Sequence, residues 1–279
     1  MPAAARASDP GARWAVPDPE RLALAIRLRA VQMVAPQGFG YLGQALSSAE
    51  QVAALFAAAR PGQDRIVCSP GHYVIALYAA AAEVGLLPAD ALLTYGQNGS
   101  ALEAIGTERS PVADYVCGSL GQGLSAAAGF ALSDRLRGRD ARTFALVSDG
   151  EMEEGQVWEA AMFAAHQRLA SLTVLLDANN SQVDGPVDTI TTIEPVAAKW
   201  ASFGWDPVEV DGHDTGAVSR ALAGAQCSSR PVVLVCRTST AHGLDCLPPD
   251  ADGHFIQLPA ELAAEAVGEL TRRLARGHA

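Results

Sequence analysis

Two short polar strings carry most of the chemistry this chain can offer: Ser148-Asp149-Gly150 and Asp177-Ala178-Asn179-Asn180. Each follows an apolar run, residues 143–147 before the first and 172–176 before the second. Asp149 offers a carboxylate and Asn179 an amide oxygen. These are hard oxygen ligands, the kind Mg²⁺ keeps when phosphate and water complete its shell. Gly150 has no side chain, so its backbone N–H can come close to an anion. A metal held between the two strings would clamp a diphosphate. An isolated Asp-Gly after a strand is an ordinary polar turn. What lifts this one is the matching Asn179 at the end of the next apolar run, with Asp184-Gly185 just beyond.

The elements around these strings must place them together. Between the two runs lies a helical pattern with Val157, Ala161, Ala164 and Ala165 on one face. A strand–helix–strand unit of this length is a parallel crossover. Asp149 and Asn179 then both fall at the carboxyl edge of the sheet, where open α/β sheets bind ligands. Residues 65–69 read as another strand, after which Pro70-Gly71-His72 opens a helix over 73–84. His72 stands near that helix's amino end, where anions are favoured. Asp114-Tyr115-Val116-Cys117 leads into Gly118-Ser119-Leu120-Gly121-Gln122-Gly123 and a helix over 124–136. Strands are expected at 205–210 and 231–236, and helices at 18–34, 193–203, 212–225 and 259–276, with a short one at 89–99. A capping box, Ser47-Ser48-Ala49-Glu50, predicts a helix starting there and running to 59. Residues 36–43 read as a glycine-rich loop, and 237–258 as a Gly/Pro/Asp-rich loop that returns over the site. The fold expected is one doubly wound α/β domain over 18–279, with a mostly parallel sheet, helices on both faces and the ligand at the carboxyl edge. Residues 1–17 read as a flexible tail.

Composition narrows the function classes. A chain of 279 residues, 49% hydrophobic, is long enough for one large α/β domain with a full core or for two small ones. A net charge of −11 with no basic patch argues against nucleic-acid binding. No apolar run is long enough to span a membrane, and the amino terminus lacks a secretory leader's apolar core. The five cysteines form no C-x-x-C pair, which fits a reducing cytoplasm.

The run from Asp149-Gly150 to Asn179-Asn180 resembles the thiamine diphosphate signature. Its setting, EGQVWEAAMFAAHQRLASLTVLLDANNSQVDG, is similar to the amino-terminal half of transketolase, in particular the version encoded as a separate subunit. The similarity covers roughly residues 21–254. It implies the thiamine diphosphate-binding fold, with thiamine diphosphate and Mg²⁺ as cofactors and Asp149, Asn179 and Ser181 around the metal. RIVCSPGHYVIALYA matches a block whose His contacts the diphosphate, a role carried to His72 as a cofactor and catalytic residue. GSLGQG matches a block lining the thiamine ring, which assigns Gly118, Ser119 and Leu120 to the cofactor beside Gly150. Glu154 matches an acid at the subunit interface close to the cofactor. A loop histidine of the family aligns with His254, as a catalytic and cofactor-contacting residue, with His242 as its competitor. His213, in a capping turn, takes no catalytic role.

The resemblance also implies what this chain lacks. Thiamine diphosphate supplies the carbanion chemistry itself, but the family's activating Glu comes from a pyrimidine-binding domain not found here. The resemblance therefore implies a partner subunit carrying the pyrimidine-binding and carboxyl-terminal domains in a heterotetramer of two plus two, acting on small-molecule substrates. Four positions depart from the family pattern. Ser148 replaces the signature's first glycine, Pro70 stands where the subfamily has Lys, and Phe39 and Ala104 stand where transketolases carry sugar-reading histidines. Apolar groups there predict a donor less hydroxylated than a ketose phosphate. The reading is thus a transketolase-like subunit that moves a two-carbon unit from a ketose or 2-oxo donor to an aldehyde, with shifted scope in specialised biosynthesis. The alternatives are a subunit of a 2-oxoacid dehydrogenase or acyloin synthase, or a degenerate subunit that only binds. A dinucleotide domain would need a G-x-G-x-x-G after its first strand.

Overall fold

The computed structural model describes residues 14–16, 18–249 and 251–276. In chain order these form α1 (Pro19–Val34), β1 (Phe39–Gly40), α2 (Leu42–Ala58), β2 (Arg65–Cys68), α3 (Val74–Glu83), β3 (Tyr115–Val116), α4 (Gln122–Leu136), β4 (Thr143–Ser148), α5 (Gly155–His166) and β5 (Leu172–Ala178). There follow α6 (Val187–Ile190), α7 (Val196–Ser202), β6 (Asp206–Asp211), α8 (Thr215–Ala225), β7 (Val232–Arg237), β8 (Ile256–Gln257) and α9 (Ala260–Arg276). Short 3₁₀ turns sit at Gly71–Tyr73 and Gly150–Glu153. The expected tail over 1–17 lies outside the described residues except for Trp14–Val16, where the Trp14 ring rests on Phe56 at 4.8 Å.

Six strands pair in the order β3-β2-β4-β5-β7-β6, every neighbour parallel. This is the doubly wound α/β fold expected. β4 and β5 are buried along their whole length, as their unbroken apolar runs require of strands covered on both faces. One apolar cluster, under α1, α2, α3, α8 and α9, contains Phe56, Tyr78 and Phe144. The other, under α4, α5 and α7, contains Val147, Trp200 and Trp205. The chain steps from β2 to β3 in one direction and then crosses to β4 on the far side of β2. The order therefore reverses between β2 and β4, the place where such sheets leave a crevice.

Two readings change. The helix expected to open at the Ser47–Glu50 box begins at Leu42, and Ser47, Ser48 and Glu50 are buried inside it. The Ser-x-x-Glu spacing fits a cap, but Ser47 and Glu50 have tertiary partners, Asp177 and Arg27, that outcompete a local one. The polar turn expected from Asp177 is the strand itself, since β5 continues through Ala178. On α5 the buried stripe is Val157, Ala160, Ala161 and Ala164, with Ala165 at its margin. A small antiparallel ribbon pairs Phe39 with Gln257 and Gly40 with Ile256, tying the first glycine-rich loop to the end of 237–258.

α4 enters close to β2. A Cβ on Gly123 would run into the backbone of Ser69, whereas a Cβ on Gly129, farther along the same helix, meets nothing within 4 Å. Gly123→Ala should therefore destabilise the chain by about 2 kcal/mol through overpacking. Gly129→Ala should stabilise it by about 0.5–1 kcal/mol through helix propensity. Urea unfolding of the two variants side by side checks both signs.

Candidate functional site

The site grows from the carboxyl ends of β4 and β5. These strands run in register to Ser148↔Asp177, and the Asp149 N–H then bonds the Asp177 carbonyl at 3.1 Å. Asp149 is buried. Its Oδ2 accepts from the Asn180 N–H at 2.6 Å and its Oδ1 from the Gly150 N–H at 2.9 Å. The crossover thus brings the two polar strings together. It also occupies the Gly150 N–H, which sequence alone left open to an anion. Burial and the neighbouring Asp177 push the Asp149 carboxyl up to about 7. A carboxylate taken from water with only two backbone donors calls for a cation.

Asp177 is the residue that sequence reasoning passed over. Its buried carboxylate accepts five hydrogen bonds: from Ser47 Oγ at 2.6 Å, Gln51 Nε2 at 2.7 Å, Tyr73 Oη at 2.7 Å, Asn179 Nδ2 at 2.7 Å and Thr238 Oγ1 at 2.6 Å. The signal for it was an acid inside an otherwise apolar strand, which rarely survives without partners. These bonds orient the metal-ligand candidate. The Asn179 amide nitrogen faces Asp177, Tyr73 and Ser47, so its Oδ1 points the other way, where the Ser181 N–H meets it at 2.9 Å. A flipped amide would set oxygen against carboxylate. Asp149 and the fixed Asn179 Oδ1, with Ser181 adjoining, form an oxygen donor set that fits a hard divalent cation.

Glu151 is the second residue missed. It is fully buried and joins three segments, accepting from Ser69 Oγ at 2.6 Å, the Gly121 N–H at 2.7 Å and the Ser148 N–H at 3.4 Å. Burial raises its carboxyl to about 7 against those donors. Through it the Ser148-Asp149-Gly150 turn holds Gly121, a residue at φ +80° that needs no Cβ, and so fixes the end of the Gly118–Gly121 loop. Gly118 and Ser119 are exposed, Leu120 partly so, and Glu154 is exposed at the head of α5. All four stand ready for a molecule outside the chain.

The histidines sort themselves. His72, in the 3₁₀ turn before α3, has its ring centroid 5.0 Å from that of His254 and 5.2 Å from that of Tyr41. His242 lies elsewhere, stacked on His213. Burial, and next the nearby His254, push His72 down to about 3, and burial lowers His254 as well. Both rings are neutral at pH 7. The Gln44 amide nitrogen, which can only donate, lies 3.2 Å from His254 Nδ1 and 3.1 Å from the His254 carbonyl oxygen. Nδ1 must accept, so the proton sits on Nε2 and is available to a bound anion or hydroxyl. Phe39 is 45% exposed, its ring 5.3 Å from Phe255, which lies 5.2 Å from Tyr41. Near the Gly118 loop the side chain that reaches in belongs to Ile105. Its Cγ2 lies 3.2 Å from where a Cβ on Gly118 would stand, while Ala104 packs on the core.

Comparison with known proteins converges on one family. The model described as "Transketolase, thiamine diphosphate binding domain" matches residues 19–275. A transketolase family protein of Sinorhizobium fredii is 38% identical over 261 residues, covering 89% of this chain and 93% of that protein. The 6-deoxy-6-sulfo-D-fructose transketolase subunit of a Clostridium species is 35% identical over 266 residues, covering 91% and 97%. The crystal structure of transketolase from Campylobacter jejuni superposes with a TM-score of 0.83 at 24% identity, over 91% of this chain but only 42% of that one. The chain therefore spans well under half of that solved enzyme and nearly all of the two relatives.

Two outcomes follow from the site's electrostatics. Asp177→Asn replaces one acceptor by a donor among five donors. It should cost about 3 kcal/mol in urea unfolding, since buried partners go unpaired. His72 is neutral when folded and charges below pH 6.5 only when unfolded, so stability present above that pH is lost as pH falls toward about 3. His72→Asn should remove up to about 1.4 kcal/mol per pH unit from that slope, measured as thermal stability from pH 7 to pH 5.

Proposed function

The chain belongs to the transketolase family, in its thiamine diphosphate-binding domain, and from that premise we propose that it is one subunit of a two-chain enzyme moving a two-carbon unit from a ketose or 2-oxo donor to an aldehyde. The observation that carries the reading is the pair formed by buried Asp149 and the Asp177-oriented Asn179 at the sheet's carboxyl edge. Asp149, Asn179 and Ser181 would hold Mg²⁺. His72 and His254 would meet the diphosphate, with Gly150 beside it and its N–H held by Asp149, and Gly118, Ser119 and Leu120 would meet the ring system. Thiamine diphosphate supplies the carbanion chemistry when bound. The chain's share is to anchor it, to keep water from its diphosphate end, and to offer the His254 Nε2 proton to an anionic or hydroxylic group.

On this reading the activating acid comes from the partner chain. Glu151 is buried and fully engaged. Exposed Glu154 and the open Gly118–Leu120 surface suit a partner chain that carries the pyrimidine-binding domain, in a two-plus-two heterotetramer. The S. fredii and Clostridium relatives, of which this chain covers nearly all, support an enzyme divided between two chains. The five free cysteines suit a reducing cytoplasm.

Substrate scope is read from Phe39 and Ile105. An exposed phenyl ring and an isoleucine beside the cofactor loop cannot pair with sugar hydroxyls, so a donor with fewer hydroxyls than a ketose phosphate suits this mouth better.

With the partner co-expressed, stripping the pair with a chelator should abolish turnover and added Mg²⁺ restore it. Asp149→Asn should weaken cofactor binding more than about tenfold. In a donor screen of ketose phosphates, free ketoses and pyruvate, Phe39→His should raise kcat/KM for a ketose phosphate about tenfold, the worth of one recovered hydrogen bond. Efficient use of ketose phosphates by the unmodified pair would sink the shifted scope. Pyruvate as the preferred donor would favour the acyloin-type reading. Mg²⁺-dependent cofactor binding without turnover of any donor would leave a binding-only subunit.

A further inference from the structure

Away from the cofactor edge, Arg27, Glu50, His213 and His242 form a second cluster of chemistry-bearing side chains. One ligand atom from each of Glu50, His213 and His242 lies within 4.8 Å of the others, the spacing of a metal site. The hydrogen bonds argue against a metal. Arg27, 2% exposed, grips Glu50 at both oxygens, Nη1–Oε1 and Nη2–Oε2 each at 2.7 Å, and its Nη2 also reaches the Leu46 carbonyl at 2.8 Å. His213 Nε2 accepts the Ser239 N–H at 2.8 Å, which puts the ring proton on Nδ1, 3.3 Å from Glu50 Oε2. Both His213 nitrogens and both Glu50 oxygens are therefore in use. What the cluster holds is the start of the 237–258 loop.

Further contacts extend the grip along the loop. His242 stacks on His213 with ring centroids 3.6 Å apart and planes 10° from parallel. Burial, with Arg27 and His213 next to it, pushes His242 down to about 4, so it stacks uncharged. Gly243 has φ +85°, and a Cβ there would come 2.8 Å from Arg27 Cδ. Between the grip and the far end stands Thr240, against which both Gly43 and Gly253 are packed, Gly43 facing the Gly253 carbonyl. Next comes His254, held by Gln44 over His72. The far end is closed by the β1–β8 ribbon.

We propose that Arg27, Glu50 and His213, with His242 stacked on them, are positioning residues that seat the near half of the loop so that Thr240 and Gly253 hold His254 over His72. The assignment of His254 to the cofactor rests on the function proposed above. The grip on the loop does not.

Hydrogen exchange on the full chain, without cofactor or partner, reads the grip directly. His213→Phe keeps a flat ring for His242 but loses both bonds. It should speed exchange at the amides of 239–242 and 252–255 about tenfold, the worth of one net hydrogen bond, with β4 and β5 unchanged. If that variant fails to fold, His242→Ala, on a partly exposed residue, should speed the same amides. Unchanged loop amides would overturn the proposal, as would equal acceleration across all strands. Stoichiometric Zn²⁺ binding by the unmodified chain, lost in His242→Ala, would overturn it in favour of a metal site. In the reconstituted pair, His213→Phe should raise KM for thiamine diphosphate about tenfold with kcat at saturation within about twofold. Faster loop exchange with an unchanged KM would sever the grip from His254, overturning the link to the cofactor and leaving the enzyme reading intact.

Discussion

A buried carboxylate is costly unless its lone pairs are filled, and Asp177 is the place where this fold meets that constraint. Its five donors come from four separate segments: two from α2, one from the turn before α3, one from the chain just beyond β5 and one from the residue after β7. No two of those segments except α2 and the turn before α3 lie close in sequence. The acid therefore specifies how α2, β5 and β7 sit around the cofactor edge more sharply than apolar packing could, because hydroxyls and amides must be aimed as well as buried. Asn179 inherits its orientation from this. The exposed chemistry of the site depends on an interaction wholly beneath it.

The strand-end logic was legible because two unbroken apolar runs with a helix between them leave little freedom. Parallel pairing forces Asp149 and Asn179 to one edge whatever the details. The hidden acids were not legible. Asp177 and Glu151 sit within or beside the same strings, but their worth depends on Ser47, Gln51, Ser69, Tyr73 and Thr238, partners that lie between about 60 and 130 positions from them in the sequence and that spacing rules cannot reach. Ser47–Glu50 failed for the same reason in reverse. Its pattern satisfies a local rule, and the local rule lost to a buried tertiary partner. Ala104, picked out by its setting in the sequence, packs on the core, and only the structure shows that the neighbouring Ile105 side chain is the one facing Gly118.

The proposed site is closed on one side and open on the other. Its diphosphate end is closed by buried polar contacts, whereas Gly118, Ser119 and Glu154 face outward. The two carboxyls pushed up to about 7 are enclosed: Glu151 holds the glycine loop and Asp149 the Asn180 backbone. A finished interior beside an open rim is the form that the two-chain proposal calls for.

Helix α2 links the two polar centres. Gln44, Ser47, Ser48 and Gln51 follow the i, i+3, i+4, i+7 spacing of one helix face, and every one of them is buried. Gln44 holds His254, while Ser47 and Gln51 hold Asp177. Glu50, between the last two, turns to Arg27 and His213 instead. One turn of helix thus faces the metal-ligand support on one side and the loop grip on the other. Buried polar side chains on a largely apolar helix are tolerated where they find partners. Gln44, Ser47 and Gln51 find theirs in His254 and Asp177, whereas Ser48 bonds back to the Gln44 carbonyl within the helix. The geometry of α2 is therefore set by the site at least as much as by the core, and a shift of this helix would disturb Asp177 and His254 together.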